Sequence, residues 1–210
     1  DKLEKTNEFD IKEAIQSGVS NLSLSRLSLL ASSIRFIDIQ DRINDIPAKV
    51  GYSINPMEVL KSEIDPHLDY YDYVLIDCPP NLGFITRNGI EISDYYLIPT
   101  IPDTLSTYGI PQIVRKVHEF KNERSLKIKC LGLVVTKYSS NSSTHSRGLR
   151  TLPSRFSLIT GEFEETGAHF FDTVMPQANS TAESMEFGED PGTFKRKYGY
   201  SQSGGKKLHE

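Results

Sequence analysis

Cysteine is scarce in this 210-residue chain: Cys78 and Cys130 are the only two, and neither stands in metal-ligand spacing. That excludes a disulfide framework or a cysteine-rich zinc cluster as the basis of the fold. Both lie in apolar stretches, so buried thiols in a reducing cytoplasm are expected. No apolar run approaches the roughly 18–20 residues of a membrane-spanning helix. No basic-then-apolar leader opens the sequence, so secretion is not expected. At 37% hydrophobic and 25% charged residues, with a net charge of −4, the chain is too apolar to be disordered. Its length suits one α/β domain better than two. It begins at Asp1 rather than Met and ends at Lys206-Lys207-Leu208-His209-Glu210, which reads like the opening of a helix, so a piece of a longer protein is expected.

The small net charge hides a strong asymmetry. Residues 112–155 carry ten Lys/Arg, among them Arg147, Arg150 and Arg155, against Glu119 and Glu123. Residues 160–192 carry eight acids and no Lys or Arg, and Lys195-Arg196-Lys197 follows at once. A phosphate backbone feels the local field rather than the total, so a positive face fits this distribution as well as solvated helix surfaces do.

Apolar runs rich in β-formers alternate with helical patterns. Phe9–Gln16 reads as a short helix with Gly18 as its C-cap, and Leu27–Ala31 as a strand. Asn55-Pro56 marks a helix start ahead of Met57, Leu60 and Ile64. Tyr73–Asp77, Tyr95–Pro99, Cys130–Thr136 and Phe170–Met175 read as strands, the first of them buried on both faces. Ile110–Phe120 reads as a helix starting at Pro111, and Ser139–Ser146 as a mobile surface loop. This alternation predicts a doubly wound, mostly parallel α/β sheet, in which ligands bind beyond the carboxyl ends of the strands.

Asp77 stands in that position, at the end of Tyr73-Val74-Leu75-Ile76 and before Cys78-Pro79-Pro80. A carboxylate there can hold a magnesium–phosphate complex directly or through water, and two prolines stiffen the exit. The same pattern also describes an ordinary polar residue leaving a sheet. The flanks narrow the reading. "YDYVLIDCPPNLGFITRNGIEISDYYLIPTIPDTLSTYGI" resembles the ParA/MinD group of deviant-Walker ATPases, most closely the ParA-type partition proteins. "LGLVVTKYSSNSSTHSR", "FFDTVMPQANSTAESMEFG" and "RLSLLASS" are similar to further blocks of that family. In the family's order, the four blocks span about four-fifths of the chain from first to last.

The resemblance implies a single ParA-like ATPase domain over 1–210, the C-terminal portion of a P-loop NTPase. It implies ATP and Mg2+ as cofactors, an ATP-dependent homodimer, non-specific DNA binding, and slow hydrolysis stimulated by a ParB-like centromere-binding protein. The protein would be cytoplasmic and nucleoid-associated, without stable membrane association. By the same resemblance Asp77 is the catalytic, magnesium-side carboxylate, and Cys78, Pro79 and Pro80 form the switch loop sensing the γ-phosphate. Thr136 and Lys137 lie near the adenine, and Pro176 and Gln177 begin the loop that closes over the base. Arg147 and Arg150 are the DNA-binding positions, with Lys195, Arg196 and Lys197 as a second basic cluster. The family's glycine-rich phosphate loop is not found in these residues, so the piece alone is expected to bind ATP weakly or not at all. Gly199–Lys207 only faintly resembles such a loop: its glycine spacing is wrong and no Ser/Thr follows the lysine. A MinD-like membrane-positioning ATPase and a non-catalytic ParA-like scaffold are the alternatives.

Overall fold

Three of the four long apolar runs form a parallel sheet. The computed structural model describes residues 10–18, 26–32, 55, 57–79 and 81–177, and these fall into two units, divided between Asp94 and Tyr95.

The first unit opens with α1 (Ile11–Ala14), capped by the Asp10 side chain, which accepts from the Lys12 amide at 2.9 Å. The helix expected to reach Gln16 stops after one turn. Ile15 instead begins β1 (Ile15–Ser17), which pairs antiparallel with β2 (Ser28–Leu30) in the register Ile15↔Leu30. A one-turn helix carries the full nucleation cost, and a β-branched residue with a strand partner beside it goes to the ladder. Gly18, at φ 66, donates to the Leu27 carbonyl at 2.9 Å, so it extends this pairing rather than capping a helix. Next come α2 (Val59–Leu68) and α3 (Phe84–Glu91). Asn55 lies four residues ahead of α2; its side-chain oxygen accepts from the Met57 amide and its amide group donates to Glu58. Asn88, buried, ties the two helices together by accepting from the Leu60 amide at 3.2 Å and donating to the Phe84 carbonyl at 2.9 Å.

Tyr73–Asp77 departs from expectation. It forms no strand, and Tyr73 and Leu75 are 88% and 94% exposed. An apolar run signals that burial would be favourable, but it becomes a strand only where a neighbour supplies ladder bonds and cover. None of the described residues does so here.

The second unit is a three-stranded parallel sheet in the order β3 (Tyr95–Thr100), β4 (Lys129–Tyr138), β5 (His169–Pro176). The helix α4 (Thr104–Arg124) connects β3 to β4, and α5 (Ser143–Glu162) connects β4 to β5. Ile98, Cys130, Leu133 and Val135 from the strands meet Ile110 and Val114 of α4 and Leu152 and Phe156 of α5 in one core. Tyr95, Leu97 and Leu131 alternate with these core residues and are exposed. Gly132, at φ 152, sits where β3 and β4 slip in register; a Cβ there would collide with the His169 carbonyl oxygen.

Two helix starts differ from those expected. The helix α4 begins at Thr104, because Asp103 caps it by accepting from the Ser106 amide at 2.7 Å. Pro111 lies inside the helix, where one missing N–H is outweighed by burial of Ile110, Val114, Val117 and Phe120. The stretch read as a loop through Ser146 is already helical from Ser143, with Ser142 as N-cap accepting from the His145 amide. No helix among the described residues is long and apolar enough to cross a membrane.

Candidate functional site

In the first unit the functional candidates are Asp77, Cys78 and Pro79; Pro80 lies outside the described residues. Asp77 is exposed at the end of the extended segment. Behind it, α3 holds the exit loop. The buried hydroxyl of Thr86 donates to the Asn81 carbonyl and faces the Pro79 carbonyl at 3.4 Å. Gly89 lets the helix approach closely: a Cβ there would lie 3.2 Å from Ile76 and 3.3 Å from the Cys78 sulfur. Cys78 is exposed rather than buried as expected, because its residue leaves the segment at the surface with only the sulfur turned toward α3. Partial burial of that sulfur, and then the Asp77 charge, push its thiol above the ordinary value.

In the second unit the strands' carboxyl ends gather four of the candidates. Thr136 and Lys137 end β4; Pro176 stands opposite Tyr138, and the Gln177 amide donates to the Tyr138 carbonyl at 2.8 Å. Lys137 has φ 50, a left-handed conformation costly for a residue with a Cβ, which re-aims the chain at this edge. A cavity of about 390 Å3 opens there, walled by Thr100, Ile101, Ser106, Ile113, Thr136 and Lys137 among others. The Thr136 hydroxyl faces the Thr100 carbonyl at 3.4 Å between the neighbouring strands β4 and β3. Sequence reading placed Thr136 and Lys137 here and missed the opposite wall; the signal was Asp103-Thr-Leu-Ser106, a capping pattern that puts a helix start at the strand's end.

Beside this edge lies α5. Its first turns are tied to the end of β4, where the Ser139 amide donates to His145 Nδ1 at 3.1 Å and the Tyr138 and Ser146 hydroxyls stand 3.3 Å apart. Arg147, Arg150 and Arg155 are exposed, whereas Leu152, Phe156 and Thr160 face the core. Glu162 is the only acid in the helix. Lys195, Arg196 and Lys197 lie outside the described residues.

A parallel sheet with a cavity and candidate residues at its carboxyl edge is the arrangement of a P-loop NTPase-like fold. The sequence pattern of a family described as "AAA domain" matches residues 3–130. The chain belongs to that family, within the ParA/MinD type of P-loop ATPases. An uncharacterized protein of Mycobacterium tuberculosis strain H37Rv is 30% identical over 177 residues, 83% of this chain and 48% of the relative. The chromosome partitioning protein ParA of Caulobacter vibrioides (strain NA1000) is 25% identical over 119 residues, 57% of this chain and 41% of ParA. The chain thus spans about half the length of the curated relatives it matches. Among solved structures, a Cyanothece McdA variant in complex with ATP superposes with a TM-score of 0.65 at 17% identity, covering 91% of this chain and 66% of that one. Cobyrinic acid a,c-diamide synthase of Mycobacterium smegmatis, with a bound ATP analogue and magnesium, gives 0.62 at 19% identity, covering 81% and 61%. These two likenesses establish the fold.

Proposed function

We propose that the protein is a partition-type ATPase in which this chain forms one ParA-like domain. It binds Mg-ATP, dimerises in that state, holds DNA without sequence preference, and hydrolyses ATP slowly under stimulation by a centromere-binding partner. The observation that carries this reading is the Asp77-Cys78-Pro79 exit, buttressed by Thr86 and Gly89 of α3 in a chain of this family.

The donor set suits magnesium. No cluster of three or more His, Cys, Asp or Glu able to hold a metal occurs among the described residues. A single carboxylate is what magnesium uses when its remaining positions go to water and substrate phosphates. Asp77 would hold the ion or one of its waters, and the ion would neutralise developing phosphate charge. The exit loop, tied to α3, keeps that carboxylate in place. Thr136, Lys137, Pro176 and Gln177, together at the ends of β4 and β5, form the base side of the nucleotide site. The exposed arginines of α5 supply the DNA contacts, and they favour the partition reading over a membrane-positioning one.

In the full-length protein Asp77→Ala is expected to lower ATP turnover by about 10–100-fold, as loss of a metal-supporting group does, and to abolish Mg2+-dependent dimerisation. A coupled ATPase assay with sedimentation in the presence of Mg-ATP checks both. Turnover at the wild-type rate in a folded variant refutes the assignment.

A further inference from the structure

Gly148 lies in the second turn of α5, between two residues with unlike duties. Arg147 before it is exposed, and Leu149 after it packs against the core. A Cβ at Gly148 would collide with the Pro102 carbonyl oxygen and lie 2.9 Å from the carbonyl carbon and 3.1 Å from the Pro102 Cβ. The missing side chain therefore lets α5 rest directly on the backbone of the β3–α4 connection. Neither partner has slack: Pro102 is fully buried, Thr100 before it is 5% exposed, and Asp103 after it is fixed by its 2.7 Å cap to Ser106.

That connection is also a cavity wall. Thr100, Ile101 and Ser106 line the space at the strands' carboxyl edge, together with Thr136 and Lys137 from the end of β4. The other wall reaches α5 as well, through the Tyr138–Ser146 hydroxyl pair and the Ser139 amide on His145. Arg147 thus sits between Ser146, joined to the end of β4, and Gly148, joined to the end of β3. Anything that moves the two walls relative to each other must displace the helix turn carrying Arg147, because close-packed contacts transmit a shift rather than absorb it.

We propose that Gly148 is a positioning residue: its contact with Pro102 links occupancy of the cavity to the placement of Arg147, and so makes DNA retention depend on nucleotide. This rests on the reading of the cavity as the base side of the nucleotide site and of α5 as the DNA face. Gly148→Ala places a methyl group in the contact without touching the arginines or the cavity lining. Pro102→Gly keeps the carbonyl that Gly148 meets but removes the ring that fixes the backbone there, so it frees the same contact from the loop side and adds no bulk.

The test is retention of duplex DNA of unrelated sequence on filters by the full-length protein, with and without Mg-ATP, for wild type and both variants, after thermal melts confirm folding. Mg-ATP is expected to tighten retention by wild type within the usual range for coupled sites, about 5–150-fold, and by either variant about twofold or less, with ATP-free retention unchanged. A merely structural role would lower both values together and leave their ratio intact; that result, or a wild-type ratio in the folded variants, overturns the proposal. If Gly148→Ala does not fold, Pro102→Gly decides alone. A wild type whose retention ignores ATP refutes the nucleotide-dependent reading itself, and the link with it.

Discussion

Tyr96 and Cys130 face one another across β3 and β4 and share their surroundings with Glu165. Burial first, and then the charge of Glu165, push the Cys130 thiol upward, partly offset by the Tyr96 hydroxyl and Lys121. Burial, with Cys130 and Glu165 beside it, pushes the Tyr96 hydroxyl well above the tyrosine range. The unfolded chain releases these protons near the ordinary values, 9.0 for the thiol and 10.0 for the phenol, while the fold retains them. Above those values the folded state binds more protons, so stability is complete below about pH 9 and falls as pH rises. Urea midpoints measured from pH 8 upward are expected to hold and then decline, with Cys130→Ala delaying the onset toward the tyrosine range. A midpoint indifferent to pH across that window would mean that both groups ionise freely in the fold. The burial of Cys130 was legible, since it stands in a run with the period and composition of a covered strand. Its neighbour Glu165 was not, being 35 residues away in an acidic stretch that reads as surface.

Glu165 shows its weight among the elements it joins. It lies in the connection between α5 and β5, where Glu164 at φ 55 and Gly167 at φ 89 turn the chain. Its carboxylate, buried at 4% residue exposure, accepts from the Cys130 amide at the start of β4 at 2.9 Å and from Lys121 in the last turn of α4 at 3.2 Å. One side chain thereby fastens a helix end, a strand start and a loop. Glu165→Ala would leave a buried amide without its acceptor and an ammonium without its partner, and is expected to cost about 3 kcal/mol. Glu165→Gln retains an acceptor for the amide and should lose less. Equal losses in chemical denaturation would show that the charge facing Lys121 carries the effect, and that neither the acceptor nor the shape matters. Elements whose signal is local were read correctly: β3, β4 and β5 each carry a run that pairs where expected. The helix α5 was not, because Ser/Thr-rich residues and Pro153 interrupt the stripe of Leu149, Leu152, Phe156 and Ile159 that the core uses. Tyr73–Asp77 failed in the opposite way. Its sequence is as strand-like as any, yet pairing belongs to the neighbours, which a run of residues does not encode. The candidate site divides along the same line. Thr136 and Pro176 were found near strand ends and Asp77 at the exit of an extended segment that pairs with nothing, whereas the Pro102–Gly148 contact joins residues 46 positions apart with no mark on either.

For the whole molecule, a net charge of −4 argues against DNA affinity only if the charge is evenly spread. On α5 it is not: Arg147, Arg150 and Arg155 project from a helix whose only acid, Glu162, is its last residue. A phosphate contact made by such a residue releases condensed counterions, so each one steepens the fall of affinity with salt by about 0.9 in a log–log plot. The contribution of these arginines can therefore be counted rather than inferred from affinity at one salt concentration. In the full-length protein, Arg147→Glu combined with Arg150→Glu is expected to flatten that slope by about 2 and to weaken retention most at low salt. Arg147→Lys with Arg150→Lys keeps both charges and should leave the slope where it was, since a non-specific contact needs a cation and not a bidentate fork. Filter retention of unrelated duplexes over a salt series separates the outcomes. A slope flattened in the Glu pair and restored in the Lys pair places the phosphate contacts on α5. A slope unchanged in the Glu pair removes α5 from the DNA face and leaves Lys195, Arg196 and Lys197 as the next residues to reverse.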